Sequence, residues 1–309
     1  MARLANLKRT VLGAGMIAAA TGLAVWSTPA LSSGDGDSYA HLPSSIQLTG
    51  VVRDFKWRTQ EGGHPDFEVV PAGGYGHYMN NIAENLDSDN KPVFVGGGRK
   101  VSAQWRDSGN RNIHPSAYNA SLGDVAGSYT GGADSGGIAS ADSFRQWFRD
   151  VAGVNMSRAL TLTLNRDENS NVYSFDDRYD PAYSSKGGFF PINNELFGNS
   201  PGQAKNFGFT FELATEFIYK PGTGQKFMFR GDDDVWVFIN GRRVIDIGGV
   251  HSAVSQTVFL DRLNHLNANK TNSLRFFFAE RHTTLSNFRI ETTINLKTAE
   301  LPNTSSLYD

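Results

Sequence analysis

The chain has 309 residues, a formal net charge of −2, no cysteine, 33 glycines and 21 phenylalanines. That length fits one β domain with long loops, or one domain carrying an insertion. The near-neutral charge, with no basic stripe, argues against a nucleic-acid surface, and the absence of cysteine excludes disulfides.

Arg3, Lys8 and Arg9 precede an apolar run from Val11 to Val25, and Thr28-Pro29-Ala30 offers small residues for cleavage. This is the pattern of a secretory signal peptide over residues 1–30. A retained anchor is the alternative, but the run is short for a bilayer span. The expectation is therefore a secreted protein, extracellular, cell-surface or periplasmic, with no membrane span after cleavage. Residues 31–45 are polar and glycine-rich and read as a flexible lead-in.

The first strand is predicted where Ile46, Leu48, Gly50 and Val52 alternate with Gln47, Thr49, Val51 and Arg53. From about residue 56 to residue 140 the periodicity fades, which suggests an insertion. Within it, Asp87, Asp89 and Asn90 space their oxygens as a calcium loop might require, without the glycine and distant glutamate of an EF-hand. Gly96 to Gly137 is the least regular stretch and reads as a long surface loop. Ser140 to Val151 predicts a helix: Phe144, Trp147, Phe148 and Val151 fall on one face, Ser140 or Asp142 can cap its start, and Gly153 can end it.

Leu160, Leu162 and Leu164 alternate with threonines and predict a strand, and Val172 to Phe175 a short one. Later come Phe207 to Leu213, Phe227 to Phe229, Val254 to Leu260, Phe276 to Phe278 and Phe288 to Leu296, each alternating. Short alternating strands at roughly ten-residue spacing argue for a mainly β chain, an antiparallel β sandwich or barrel. The domain is expected over residues 46–297, followed by a polar tail, 298–309.

The second half centres on Arg230 to Gly249, R-G-D-D-D-V-W-V-F-I-N-G-R-R-V-I-D-I-G-G. Asn240-Gly241 between two apolar runs is a type I′ hairpin signal. The run from Val235 to Ile239 is apolar on both faces and reads as a strand buried on both sides. Three carboxylates, Asp232, Asp233 and Asp234, sit at its mouth. Like charges beside a low-dielectric strand repel strongly, so water, an arginine or a hard cation must offset them. Calcium suits all-oxygen ligands.

Catalytic motifs are weak. There is no G-x-S-x-G and no H-E-x-x-H, the histidines are scattered, and no spacing favours Glu216, Glu280 or Glu291 as a glycosidase pair.

G-D-D-D-V-W-V-F-I-N-G, V-I-D-I-G-G-V-H and F-F-F-A-E-R-H-T-T-L-S-N-F-R-I, with the opening L-T-G-V-V-R-D-F, resemble the fibro-slime domain family. That family is similar to PA-fourteen-type (protective-antigen-like) carbohydrate-binding domains. The resemblance covers about Ile46 to Leu296. It implies the PA-fourteen type of β sandwich or barrel, with a helix and a long glycine-rich insertion added. It also implies that two consecutive aspartates joined by a cis peptide, Asp232 and Asp233, hold a calcium ion that engages sugar hydroxyls. Asp234 stands where that family often has glycine and is a further possible ligand. His251, Arg281, His282 and Asn287 are the candidate sugar-contacting or shell-completing neighbours.

The expected function is a secreted, non-catalytic module for calcium-assisted binding of a glycan or extracellular polysaccharide, serving adhesion. The alternative is a self-associating structural protein of slime or a surface layer. A glycan-active enzyme comes third.

Overall fold

The computed structural model describes residues 37–297. The expected signal peptide, residues 31–36 of the lead-in and the tail 298–309 lie outside the described residues. Of the lead-in's remainder, Asp37 pairs with Arg166 at 2.6 Å, which ties that segment to the sheet.

Thirteen strands form in chain order. They are β1 (Ser45–Phe55), β2 (Tyr78–Met79), β3 (Arg99–Ala103), β4 (Ser128–Thr130), β5 (Asn155–Arg166), β6 (Tyr173–Asp176), β7 (Phe209–Ile218), β8 (Lys226–Gly231), β9 (Asp234–Ile239), β10 (Arg242–Ile247), β11 (Val254–Phe259), β12 (Thr271–Glu280) and β13 (Phe288–Thr292). Ten of them make one antiparallel sheet in the order β10-β9-β12-β7-β1-β5-β6-β13-β8-β11. The chain is thus mainly antiparallel β, and the sheet curls into a nearly closed barrel.

The seam between the terminal strands β10 and β11 is bridged by one side-chain amide. Gln256 Oε1 accepts from Asp246 N at 3.0 Å and its Nε2 donates to Asp246 O at 3.2 Å. An open edge would otherwise present unpaired backbone groups.

Strand alternation sorts the apolar residues into two cores. The inner faces of β1, β5, β7, β8, β12 and β13 fill the barrel with Leu48, Val52, Leu162, Phe211, Phe229, Phe276, Phe288 and their neighbours. β9 contributes Val235, Val237 and Ile239 to that interior, and Trp236 and Phe238 to a second core outside it, with Phe67, Phe144, Trp147, Phe148 and Phe277. The run from Val235 to Ile239 is therefore apolar on both faces because both faces are covered, as its sequence predicts. The Asn240-Gly241 turn between β9 and β10 has both φ values positive, 49° and 77°, as a type I′ hairpin needs.

Two expectations are corrected. The helix runs only over Ala141–Phe144 (α1), with a capping box between Ser140 and Ser143. Its aromatic face does pack on the sheet, but beyond Phe144 tertiary donors take the carbonyls that a longer helix would use. Thr210 Oγ1 donates to Trp147 O at 2.7 Å, and Asn155 Nδ2 donates to Arg149 O at 2.9 Å. Packing has overridden local periodicity.

The stretch around Gly96 to Gly137 is also not one irregular surface loop. β2, β3 and β4 form a small sheet. It docks on the main one where Tyr78 and Gly248 exchange backbone hydrogen bonds at 2.6 and 3.1 Å.

Candidate functional site

Three connections meet at one end of the barrel. Strand register shows this directly: Phe288 of β13 pairs with Gly231 of β8, Val254 of β11 pairs with Gly231, Ala279 of β12 pairs with Asp234 of β9, and Ile247 of β10 pairs with Val235. The β8–β9 link is only Asp232-Asp233. The β10–β11 link carries Val250, His251 and Ser252, and the β12–β13 link runs from Arg281 to Asn287. Together with Tyr75 from the insertion they line a cleft of about 520 Å³, bounded by Asp232, Asp233, His251, His282 and Leu285 among others.

The Asp232-Asp233 peptide is cis. The adjoining links hold each aspartate by directed donors. Asp232 accepts from Asn287 N at 2.5 Å and from Asn287 Nδ2 at 2.8 Å. Asp233 accepts from His251 N at 3.2 Å and from Arg281 N at 3.1 Å. Each of these four oxygens makes one hydrogen bond, which leaves a second lone pair on each.

Asp234 has a different role. Its Oδ2 accepts from Arg281 Nε at 2.5 Å and its Oδ1 from Gly249 N at 2.6 Å, with Asp234 and Arg281 both fully buried. Gly249 lies at φ 93°, and a Cβ there would meet Tyr78 Cδ2 at 2.6 Å, so only glycine brings this N–H so near. The rest of the Arg281 guanidinium donates to the carbonyls of Asp66, Gly136 and Gly137. Arg281 is thus not a sugar contact: it anchors the insertion to the barrel. Asp234 is its counter-ion and does not line the cleft, so the expectation that it would be a third metal ligand is corrected.

Glu280 completes the acidic group. It follows Ala279, the partner of Asp234, so strand register brings it to the carboxylates. It is fully buried, and its Oε2 has no hydrogen-bond partner.

Burial pushes the Asp232 carboxyl up to about 6, the charge of Asp177 adding to this against the Asn287 hydrogen bonds. Burial also raises Asp233 well above the usual carboxylate range, against Arg281 and helped by Asp234 and Asp232. Glu280 is raised likewise by burial, then by Asp233 and Asp232. Four carboxylates therefore face one guanidinium, which is already committed to Asp234. His251 lines the same cleft. Burial lowers its imidazole to about 3, and its Nε2 has no partner, because Nδ1 is the atom bonded to Ser252 O at 2.9 Å.

The oxygens of Asp232 and Asp233, with orphaned Glu280 beside them, are the hard donors calcium takes. Among the described residues, no three His, Cys, Asp or Glu side chains converge as a metal-holding group. Asp232 and Asp233 are thus the side chains that would hold such an ion, and two carboxylates fall short of a full shell.

The other acidic loop does not fit. Asp87 and Asp89 both pair with Arg149, at 2.6 and 3.1 Å, and Asp87 Oδ1 accepts from Asp89 N and Lys91 N. A guanidinium stands where a cation was considered.

Of the predicted contacts, His282 and Asn287 lie on the β12–β13 link, and His251 sits opposite them on the β10–β11 link. Sequence reasoning missed Tyr75 and Glu68, which reach the site from the insertion; it weighed Glu280 as a catalytic acid and as part of a loop near the aspartates, but not as a member of the acidic group. The positions of all three depend on register or on long-range docking, and only Glu280 had a local signal, its place at the end of an alternating strand. No helix among the described residues is long and apolar enough to cross a membrane.

No protein-family model matches this chain. It is similar to psiR of Dictyostelium discoideum, 32% identical over 261 residues, which covers 83% of this chain and 22% of that protein. It is similar also to psiQ of the same organism, 37% identical over 244 residues, covering 75% of this chain and 20% of psiQ. With psiC the figures are 29% over 272 residues, 86% and 44%. The chain thus spans about a fifth of psiR and psiQ and less than half of psiC. Among solved structures, the PA14 domain of the MpAFP antifreeze protein aligns over 85% of this chain and 95% of that one, at 10% identity. The TM-score of 0.25 is too low to define a shared fold.

Proposed function

We propose that this chain is a secreted, non-catalytic binding module of the fibro-slime kind, in which Asp232 and Asp233 hold a calcium ion that recruits a glycan. The observation that carries the reading is the uncompensated acidity of the cleft. Asp232, Asp233 and Glu280 are buried together, and their one neighbouring cation, Arg281, is taken by Asp234. Buried carboxylates without counter-charge either hold protons or hold a cation. Asp232 and Asp233 line the floor of an open cleft, where a bound ion would remain reachable.

Asn287 orients Asp232, and the backbone N–H groups of His251 and Arg281 orient Asp233, so the four oxygens keep their positions whether or not the ion is present. Glu280 supplies further negative potential from behind. His251 Nε2, buried and unpartnered, accepts one hydroxyl proton from whatever enters. The ion, when bound, offers open coordination positions to vicinal hydroxyls. Affinity for a single sugar is expected to be weak, so adhesion relies on several copies.

Calorimetric titration with calcium tests the site. Wild type should bind and Asp233→Asn should not. A glycan array probed in calcium and again in chelator tests the partner class, and signal is expected only with calcium. An equal calcium response in both proteins removes the site. No glycan signal, together with self-assembly at high concentration, replaces the binding reading with a structural slime or surface-layer protein.

A further inference from the structure

Tyr75 stands half-exposed (50%) at the cleft mouth, with its ring held against His282. Its Oη lies 2.8 Å from His282 Nε2, and the two ring centroids are 5.0 Å apart at 36°. His282 Nδ1 in turn lies 3.1 Å from Glu68 Oε2. Glu68 N donates to Arg281 O at 2.7 Å, and Gly76 N donates to Val250 O at 2.8 Å, so the backbone on both sides of Tyr75 is fastened to the cleft wall. Tyr78 Oη closes the turn by donating to Gly74 O at 2.8 Å. An exposed aromatic ring held by one side-chain contact, to His282, and by two backbone hydrogen bonds and one hydroxyl bond in its loop has less rotamer freedom left to lose on binding.

The cleft is therefore chemically two-sided. Its floor is carboxylate, from Asp232 and Asp233. Its rim carries apolar surface from Tyr75 and from Leu285, 60% exposed on the β12–β13 link, beside His282, Thr283 and Thr284. A ligand matching both must present vicinal hydroxyls at one edge and a flat C–H surface on one face. A pyranose does this. A catechol carries the vicinal hydroxyls but no aliphatic C–H face, and a lipid chain would meet the acids with nothing to offer them. A volume of about 520 Å³ lies within the ~300–1,000 Å³ of small-ligand pockets, room for a terminal sugar or a disaccharide and not for a long chain lying flat.

We infer that Tyr75 is the stacking platform of the site. It selects a terminal pyranose that lays its apolar face on the phenol ring while its vicinal hydroxyls point to the Asp232-Asp233 edge. His282 acts as the positioning residue for that ring. This rests on the proposed glycan-binding reading and names the shape of sugar it requires.

The test uses the full chain with methyl gluco-, galacto- and mannopyranosides in calcium, read by saturation-transfer NMR and titration, with terbium luminescence reporting the cation separately. For the wild type, at least one pyranoside should bind, with saturation strongest on the C–H protons of one ring face. Tyr75→Ala should weaken that binding about tenfold with terbium affinity unchanged, and Tyr75→Phe, which keeps the ring, should stay within about threefold of wild type. Tyr75 is exposed, and an unchanged thermal melt confirms that the variants fold.

Equal sugar affinity in wild type and Tyr75→Ala overturns the inference while leaving the cation site in place. So does a wild type that binds terbium but no pyranoside. If the wild type binds no cation, the parent reading has failed. A cation-independent pyranoside signal lost in Tyr75→Ala would then still support the platform, and its absence would overturn it.

Discussion

Two groups of buried charge in this molecule are built on opposite principles. Beneath the insertion, on the outer face of β1 and β7, Glu212 accepts from Arg53 at 2.7 Å and from Lys91 at 2.5 Å, and Arg53 also reaches Asp150 at 2.8 Å. Two cations meet two carboxylates, so each acid has a paired cation, although Arg53 Nη2 is left without a partner. At the barrel end, Asp232, Asp233, Asp234 and Glu280 meet Arg281 alone. The first cluster joins one layer to another, because burying charge is tolerable only when partners are matched. The second gathers more carboxyl groups than cations around a cleft, so its members hold protons unless a cation enters, as in the proposed binding site.

The largest expected effect comes from breaking the paired group. Glu212→Gln leaves Arg53 and Lys91 buried with a neutral partner and should cost ~3–5 kcal/mol, read by urea denaturation. Calcium affinity of the folded variant should not change. If it drops, the two clusters are coupled and the contrast between them does not hold.

The open group should respond in the reverse way. Asp233→Asn removes one of the repelling charges, so calcium affinity should fall roughly a hundredfold or more. In chelator, the variant should be at least as stable as wild type, by up to ~1 kcal/mol. A Asp233→Asn protein as destabilised as Glu212→Gln would show the aspartates to be a structural brace.

The contrast also shows what the sequence could reveal. The barrel was legible because each strand alternates with a period of two, and the hairpin because Asn-Gly permits two positive φ values. The double-sided burial of β9 was readable from Trp236 and Phe238 standing between Val235, Val237 and Ile239. The division of labour among three adjacent aspartates was not. Asp234 faces outward with Trp236 and meets Arg281, forty-seven positions later. Which aspartate would find that guanidinium depends on the β9–β12 register, which no local pattern prints. The helix was overestimated because spacing at 144, 147 and 148 describes a shared face without requiring helical hydrogen bonds. Glu68, Tyr75 and Lys91 come from a stretch with no periodicity at all, and only docking gives them partners.

A pH titration of calcium-free protein sharpens the difference further. A carboxyl raised on folding binds its proton more tightly in the native state, so its contribution to stability is fully present below the unfolded value and is lost as pH rises through the folded value. For Asp232 that window runs from 3.8 to about 6, with Asp233 and Glu280 adding in the same direction. Buried histidines such as His251, lowered to about 3, and His114, lowered to about 4, act with the opposite sign over the same range. The carboxyl share is therefore read as a difference: in chelator, Asp232→Asn should lose about 1 kcal/mol at pH 5 relative to pH 7 when compared with wild type. Saturating calcium should reverse that part, because the ion competes with the protons. Asp54, raised by burial to about 7, has the same sign, but its partners are Asn206 and Phe197 and none of the cleft residues, so its share should survive calcium.

The smallest effect should come from the loop that sequence spacing had suggested as a second calcium site. Asp89 is 46% exposed and lies 3.1 Å from an Arg149 nitrogen that also pairs with Asp87 at 2.6 Å. Water screens the exposed partner, and the guanidinium keeps its better contact when Asp89 is lost, so Asp89→Ala should cost less than ~1 kcal/mol. It should also leave the calorimetric calcium response unchanged, since the Arg149 guanidinium already occupies the space between the two carboxylates and water screens the exposed one. A calcium stoichiometry that falls by one in Asp89→Ala would mean that the ion displaces Arg149. The rule separating the two clusters, that acids with matched arginines brace while acids without them bind, would then fail at the site where it looks safest.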